Sequence, residues 1–200
     1  MSEAKETLMS KLALEICSLI GSVFTQPSTT PAPLDTLVHE LSNAAKRGVK
    51  VFVYGVGREG LMMKGLCMRL AHLGLSAHCI FDMTTPPISS SDLLIVSAGP
   101  GFFSTVEALC KIAKNNGARI VYVTAQPESR AALECGDVIV HVPAQTMAND
   151  GGDSMKREVL PMGSLYEGAM FVLFEMVIYR LGECLEQSPQ VIRSRHTNLE

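Results

Sequence analysis

No two cysteines form a CxxC pair, no apolar run goes uninterrupted for long, and no strong charge of one sign accumulates along the chain. Each shortage removes a class of function. The six cysteines, Cys17, Cys67, Cys79, Cys110, Cys135 and Cys184, lie far apart and mostly inside apolar patterns, where a thiol behaves as a small hydrophobe. They suggest neither a metal site nor a disulfide framework, so reduced structural cysteines are expected. A formal net charge of -3 leaves no electrostatic footprint for nucleic acid or an anionic membrane surface. The most apolar stretch, "AMFVLFEMVIYRL", is interrupted by Glu175 and Arg180 before reaching the roughly 20 residues that a bilayer span requires. The start "MSEAKETLMSKL" lacks the basic-then-apolar layout of a secretory signal, so a cytoplasmic protein is expected. No repeat at solenoid spacing is present.

What remains is a chain of 200 residues, 47% hydrophobic, sufficient for one domain with a substantial core. Leu8, Leu12, Ile16, Leu19 and Val23 recur at helical spacing, which predicts an amphipathic helix ahead of the breaker "QPSTTPAP". A second helix is expected over Asp35 to Lys46. After Gly48 the pattern changes to short apolar runs, "VKVFVY", "SAHCIF", "DLLIVS", "ARIVYVT" and "DVIVHV", most of them separated by helical stretches. That alternation predicts an α/β fold, a mostly parallel five-stranded sheet with covering helices. The expected layout is helices over about 5–47, sheet core over about 49–142, a polar loop over about 143–160, and a long closing helix and tail over about 163–200. The tail "RSRHTNLE" would by itself be expected to fray.

In such a fold ligands gather beyond the carboxyl ends of the strands. The first turn, "VYGVGREG", spaces Gly55, Gly57 and Gly60 as GxGxxG, and Asp82 could serve a dinucleotide as ribose acid. Charged Arg58 and Glu59 in the close-approach turn argue against that reading. The third strand ends in "SAGPGFFST", whose glycines, hydroxyls and following helix N-terminus suit a phosphate. Ser104 could equally be only the N-cap of that helix.

The order "VFVYGVGREG", "MRLAHLG", "DMTTPP", "DLLIVSAGPG", "PMGSLYEGAMFVLFEMVIYRL" and "SRHTNLE" resembles the sugar isomerase (SIS) domain, and within it the 6-phospho-3-hexuloisomerase family. The resemblance runs from about Leu8 onward. It implies a flavodoxin/Rossmann-like, three-layer αβα sandwich, assembled as a homo-oligomer, tetramer or dimer. Such members interconvert 3-hexulose 6-phosphate and fructose 6-phosphate with no cofactor and no metal. The resemblance places the phosphate on Ser97, Gly99, Gly101, Ser104 and Thr105, beside Gly57 and Arg58, with Thr84 and Thr85 of "TTPP" at the substrate. It makes Glu167 the base, with His72 and His196 assisting, the latter able to reach a neighbouring subunit. His39, His78 and His141 match no role and are read as structural.

The residue types suit that chemistry. Shifting a carbonyl by one carbon through an enediol needs a carboxylate to move the carbon-bound proton and a second group to handle the hydroxyl protons. The chain also departs from the family pattern. "SGSGxT" has become "SAGPGFFST", with Pro100 costing a backbone donor and Phe102 and Phe103 replacing small or polar residues. "GRSG" has become "GREG", placing Glu59 near an expected dianion unless it turns away or pairs with Arg58 or Lys64. "ETTTP" has become "DMTTP". Retention of Glu167, His72 and His196 favours an isomerase of sugar phosphates. Loss of the hydroxyl cluster favours the alternative, a non-catalytic SIS module that senses a phosphorylated sugar.

Overall fold

The computed structural model describes residues 7–26, 31–149 and 159–199. Residues 5 and 6 of the first expected segment, and residues 150–158 of the expected polar loop, lie outside the described residues. The elements in chain order are α1 (Leu8–Val23), α2 (Pro33–Arg47), β1 (Lys50–Gly55), α3 (Gly57–His72), β2 (Ser76–Cys79), β3 (Leu93–Ser97), α4 (Ser104–Asn115), β4 (Arg119–Thr124), α5 (Arg130–Cys135), β5 (Val138–His141), α6 (Ser164–Cys184) and α7 (Pro189–Ser194).

The five strands form one sheet in the order β2-β1-β3-β4-β5, and every pairing is parallel. Both faces are covered. Val51, Val53, Leu93, Ile95, Val121, Val123 and Val140 point to one side, where they meet α2, α3 and α6. Phe52, Leu94, Val96, Ile120 and Tyr122 alternate to the other side and meet α4 and α5. This is the reason the strands read as continuous apolar runs and not as alternating ones. At the amino ends, Asp92 accepts from the Lys50 amide at 3.0 Å and from the Ser89 amide at 2.8 Å, which ties β1 to the loop before β3.

The helix ends follow local chemistry. Pro33 opens α2, Lys46 and Arg47 occupy its last turn, and Gly48 closes it at φ 63°, a left-handed conformation glycine adopts without a Cβ clash. Helix α6 is apolar almost all round because α1, α2 and α3 pack against it. A short helix, α7, precedes the tail: of "RSRHTNLE" only Arg193 and Ser194 are helical, and residues 195–199 are not. Ser188 caps α7 by accepting from the Val191 amide at 3.3 Å, and Pro189 takes its first position. "SP" ahead of "QVIR" was the legible signal for it. Strand β2 stops at Cys79, two residues short of the expected run, because Phe81 turns the chain at φ 74°.

Candidate active site

The strand order reverses between β1 and β3, so the turns leaving these neighbours open a crevice at their carboxyl ends. Glycine shapes the first turn. A Cβ on Gly60 would lie 2.5 Å from the Gly55 carbonyl oxygen, and Gly57 sits at φ 59°. The glycine triplet is therefore accounted for by a tight strand-to-helix turn, without invoking a dinucleotide. A cavity of about 500 Å3 opens above it, with Gly57, Arg58, Glu59, Pro100, Phe103, Ser164, Tyr166 and Glu167 in its wall.

Arg58 and Glu167 meet in that cavity. Arg58 Nε lies 3.1 Å from Glu167 Oε2, Nη1 donates to Ser164 Oγ at 2.9 Å, and Nη2 donates to the Met162 carbonyl. One guanidinium thus clamps the turn before α6 and the carboxylate on its first turn. The Glu167 side chain is only 16% exposed. Burial raises its pKa above the ordinary carboxylate value, and Arg58 opposes that rise. A carboxylate so held can accept a proton from a weak carbon acid and return it.

Glu59 lies deeper, and neither exit foreseen from the sequence is taken. Its side chain turns inward from the first turn of α3 and accepts from Ser97 Oγ at 2.6 Å and from the Gly99 amide at 3.0 and 3.2 Å. Since Ser97 gives its proton to Glu59, Tyr166 donates its own to Ser97 Oγ across 3.2 Å. Tyr166 and Ser97 are essentially inaccessible. Burial pushes the Glu59 pKa up, with Glu167 adding to the rise, while the Ser97 and Gly99 bonds resist it. Burial likewise holds the Tyr166 phenol far above its ordinary value, so it is a neutral donor.

The remaining residues expected at the phosphate are distributed differently. Gly101, at φ 93°, faces Gln126 and Ser129, and its carbonyl accepts from Ser129 Oγ at 3.0 Å and Tyr122 OH at 3.2 Å. Ser104 and Thr105 are exposed on the first turn of α4 and do not line the cavity. Ser104 is also not the cap, since Phe103 holds that position with no side-chain bond. Thr84 is exposed, while Thr85 donates to the Cys79 carbonyl at 2.6 Å and shapes the turn after β2.

His72 and His196 come together, with ring centroids 5.2 Å apart and planes inclined by 32°. They do so at the far end of α3. Arg58 stands in the first turn of that helix and His72 ends it, so within one chain about 21 Å of helix separates the histidine pair from the Arg58 turn, at 1.5 Å per residue. Beside the pair is a second cavity, of about 430 Å3, between α3, α6 and α7.

Sequence reasoning passed over Ser164 and Tyr166, although both stand in the "GSLYE" stretch that carried Glu167. Their value is tertiary: one fixes Arg58 and the other closes over Ser97. Among the described residues, no group of three or more His, Cys, Asp or Glu could hold a metal ion, and no helix is long and apolar enough to cross a membrane.

No family model matches the chain. A 3-hexulose-6-phosphate isomerase of Mycobacterium gastri is 40% identical over 151 residues, 76% of this chain and 74% of that protein. A solved structure from Methanococcus jannaschii, for which a 3-hexulose-6-phosphate isomerase function was inferred, superposes with a TM-score of 0.74 at 25% identity. It covers 94% of this chain and 97% of that one. The fold extends to the Vibrio vulnificus NanR protein complexed with ManNAc-6P, at TM-score 0.65 and 14% identity, covering 97% of this chain and 72% of that one.

Proposed function

The chain belongs to the 3-hexulose-6-phosphate isomerase family of phosphosugar isomerase (SIS) proteins, and from that premise we propose that it shifts the carbonyl of a ketohexose 6-phosphate between C2 and C3. The observation that carries this reading is the Arg58–Glu167 pair at 3.1 Å in the wall of the crossover cavity.

Glu167 removes the proton from C2 of a 3-hexulose 6-phosphate, the electron pair forms the C2–C3 double bond of an enediol, and the proton returns at C3 as the C2 carbonyl forms. Burial raises the pKa of this carboxylate and so makes it a stronger base, while Arg58 favours its ionised form. The proton moves between O2 and O3 through an imidazole, the role proposed for His72 or His196. Because those rings lie at the opposite end of α3, they serve the cavity of a second copy of the chain, in a homo-oligomer.

The test is proton exchange at the carbon beside the carbonyl, with fructose 6-phosphate in deuterated water followed by NMR. Exchange is expected with the wild type and a loss of about 100- to 10,000-fold with Glu167→Gln, the range for removing a general base. Exchange indifferent to that substitution would sink the reading. One observation favours a second function, a phosphosugar sensor without catalysis: within one chain His72 and His196 stand about 21 Å along α3 from the Arg58 turn. Ligand binding with no exchange at all would identify that case.

A further inference from the structure

The loop after β3 is an anion cradle that already holds an anion. Ser97 Oγ and the Gly99 amide converge on one point, and the Glu59 carboxylate is there, accepting from both at 2.6 Å and at 3.0 and 3.2 Å. Among the described residues no cation is paired with it. Tyr166 and Glu167 face it from α6 and Tyr122 from β4, two neutral phenols and a second carboxylate. Arg58, the neighbouring cation on α3, has its guanidinium on Glu167, Ser164 and the Met162 carbonyl. Space is closed as well: a Cβ on Gly99 would meet the Tyr166 ring at 2.7 Å and Glu59 Oε1 at 3.0 Å.

We propose that Glu59 determines what this cradle accepts: it is an internal occupant, and a phosphate or sulfate group enters only when that carboxylate is protonated or swung out. The inference rests on the phosphosugar reading of the site and deepens it. A dianion beside a buried carboxylate is repelled by both oxygens and loses the two donors it would need. Neutralising Glu59 removes the repulsion and frees the Ser97 hydroxyl to turn. Burial, which already favours the neutral acid, makes that proton uptake easier than it would be at the surface. The cradle therefore discriminates by charge: protonation of Glu59 admits the dianion, so dianions are disfavoured as pH rises.

Sulfate is the probe, because its charge stays constant between about pH 5.5 and about pH 8.5, so any pH dependence of its binding there belongs to groups of the protein. Its binding would be measured by calorimetry on wild type, Glu59→Gln, Glu59→Ser and Glu167→Gln. The expected result is wild-type affinity that climbs as pH falls, and a Glu59→Gln or Glu59→Ser protein that binds about tenfold tighter or more at the alkaline end with a flattened slope. Glu167→Gln keeps most of the slope. Equal affinity of wild type and both Glu59 variants, or no sulfate bound by any of them, overturns the inference. Glu167-dependent proton exchange beside that negative result would leave the isomerase reading standing; tighter sulfate binding without exchange would do the reverse.

Discussion

Arg195 Nη1 donates to the carbonyl of His72 at 2.9 Å, so the residue before His196 is bound to the helix end that carries the other histidine. The same nitrogen donates to Gln187 Oε1 at 2.8 Å, and the guanidinium packs over Gly74. The tail is thereby held beside α3. Arg195→Ala is expected to lower turnover about tenfold through loss of histidine positioning, with stability changed by no more than about 0.5 kcal/mol, as for an exposed side chain. Parallel rate and denaturation measurements check it, and a stability loss that matches the rate loss would refute a positioning role.

Mixing two inactive proteins tests whether the histidines and Glu167 act across copies. Glu167→Gln and His72→Ala homomers, unfolded together and refolded, are expected to recover part of the activity that neither has alone. Persistent inactivity would place all the groups in one chain.

Arg58→Ala removes the cation that lowers the Glu167 pKa. The carboxylate then stays protonated to higher pH, so the acid limb of kcat/KM moves toward alkaline pH. At neutral pH the rate falls about 10- to 100-fold, since the clamp on Ser164 and Met162 goes too. A pH–rate profile with an unmoved acid limb would contradict the pairing.

Glu59 links stability to pH. Its folded pKa lies above its ordinary value of 4.5, so the folded chain keeps a proton that the unfolded chain has already released. This contribution favours folding on the acid side and is lost as pH rises through the window between 4.5 and the folded value. Glu59→Gln has nothing to lose there. The wild-type minus variant difference in denaturation free energy should therefore fall with rising pH across that window, and a difference that rises would reverse the assignment.

Gly99→Ala tests the closeness of the cradle to α6. The added methyl would lie 2.7 Å from Cε1 of a fully buried Tyr166, a collision that an overpacked core resolves at a cost of about 1–3 kcal/mol. Chemical denaturation reads it directly. A neutral result would show that the Tyr166 ring yields.

The sheet was readable because a parallel strand buried on both faces is a near-continuous apolar run, as "LLIV" and "IVYV" are within β3 and β4. The crossover location followed from strand order. Glu167 was readable only through its resemblance, since a first-turn acid is ordinary. What local sequence did not carry was direction: Glu59 could have turned to Lys64 or to solvent, and only the position of β3 beside β1 decides that it meets Ser97 and Gly99. The contact of His72 with His196 was equally hidden, because it depends on Arg195, in the tail expected to fray, reaching back to the His72 carbonyl.

Helix α1 offers a last consequence. Its sole fully buried side chain is Val23, while Leu8, Met9, Leu12 and Leu14 are 75%, 79%, 42% and 64% exposed, and its hold on α6 includes Ile20 seated against Gly168. An element so thinly attached opens locally long before the sheet does. In a lone chain its amides would exchange with deuterated solvent among the first, whereas a second copy laid over those leucines would slow them without altering the core. The exchange rate of this one helix thus reports association as directly as a measurement of mass.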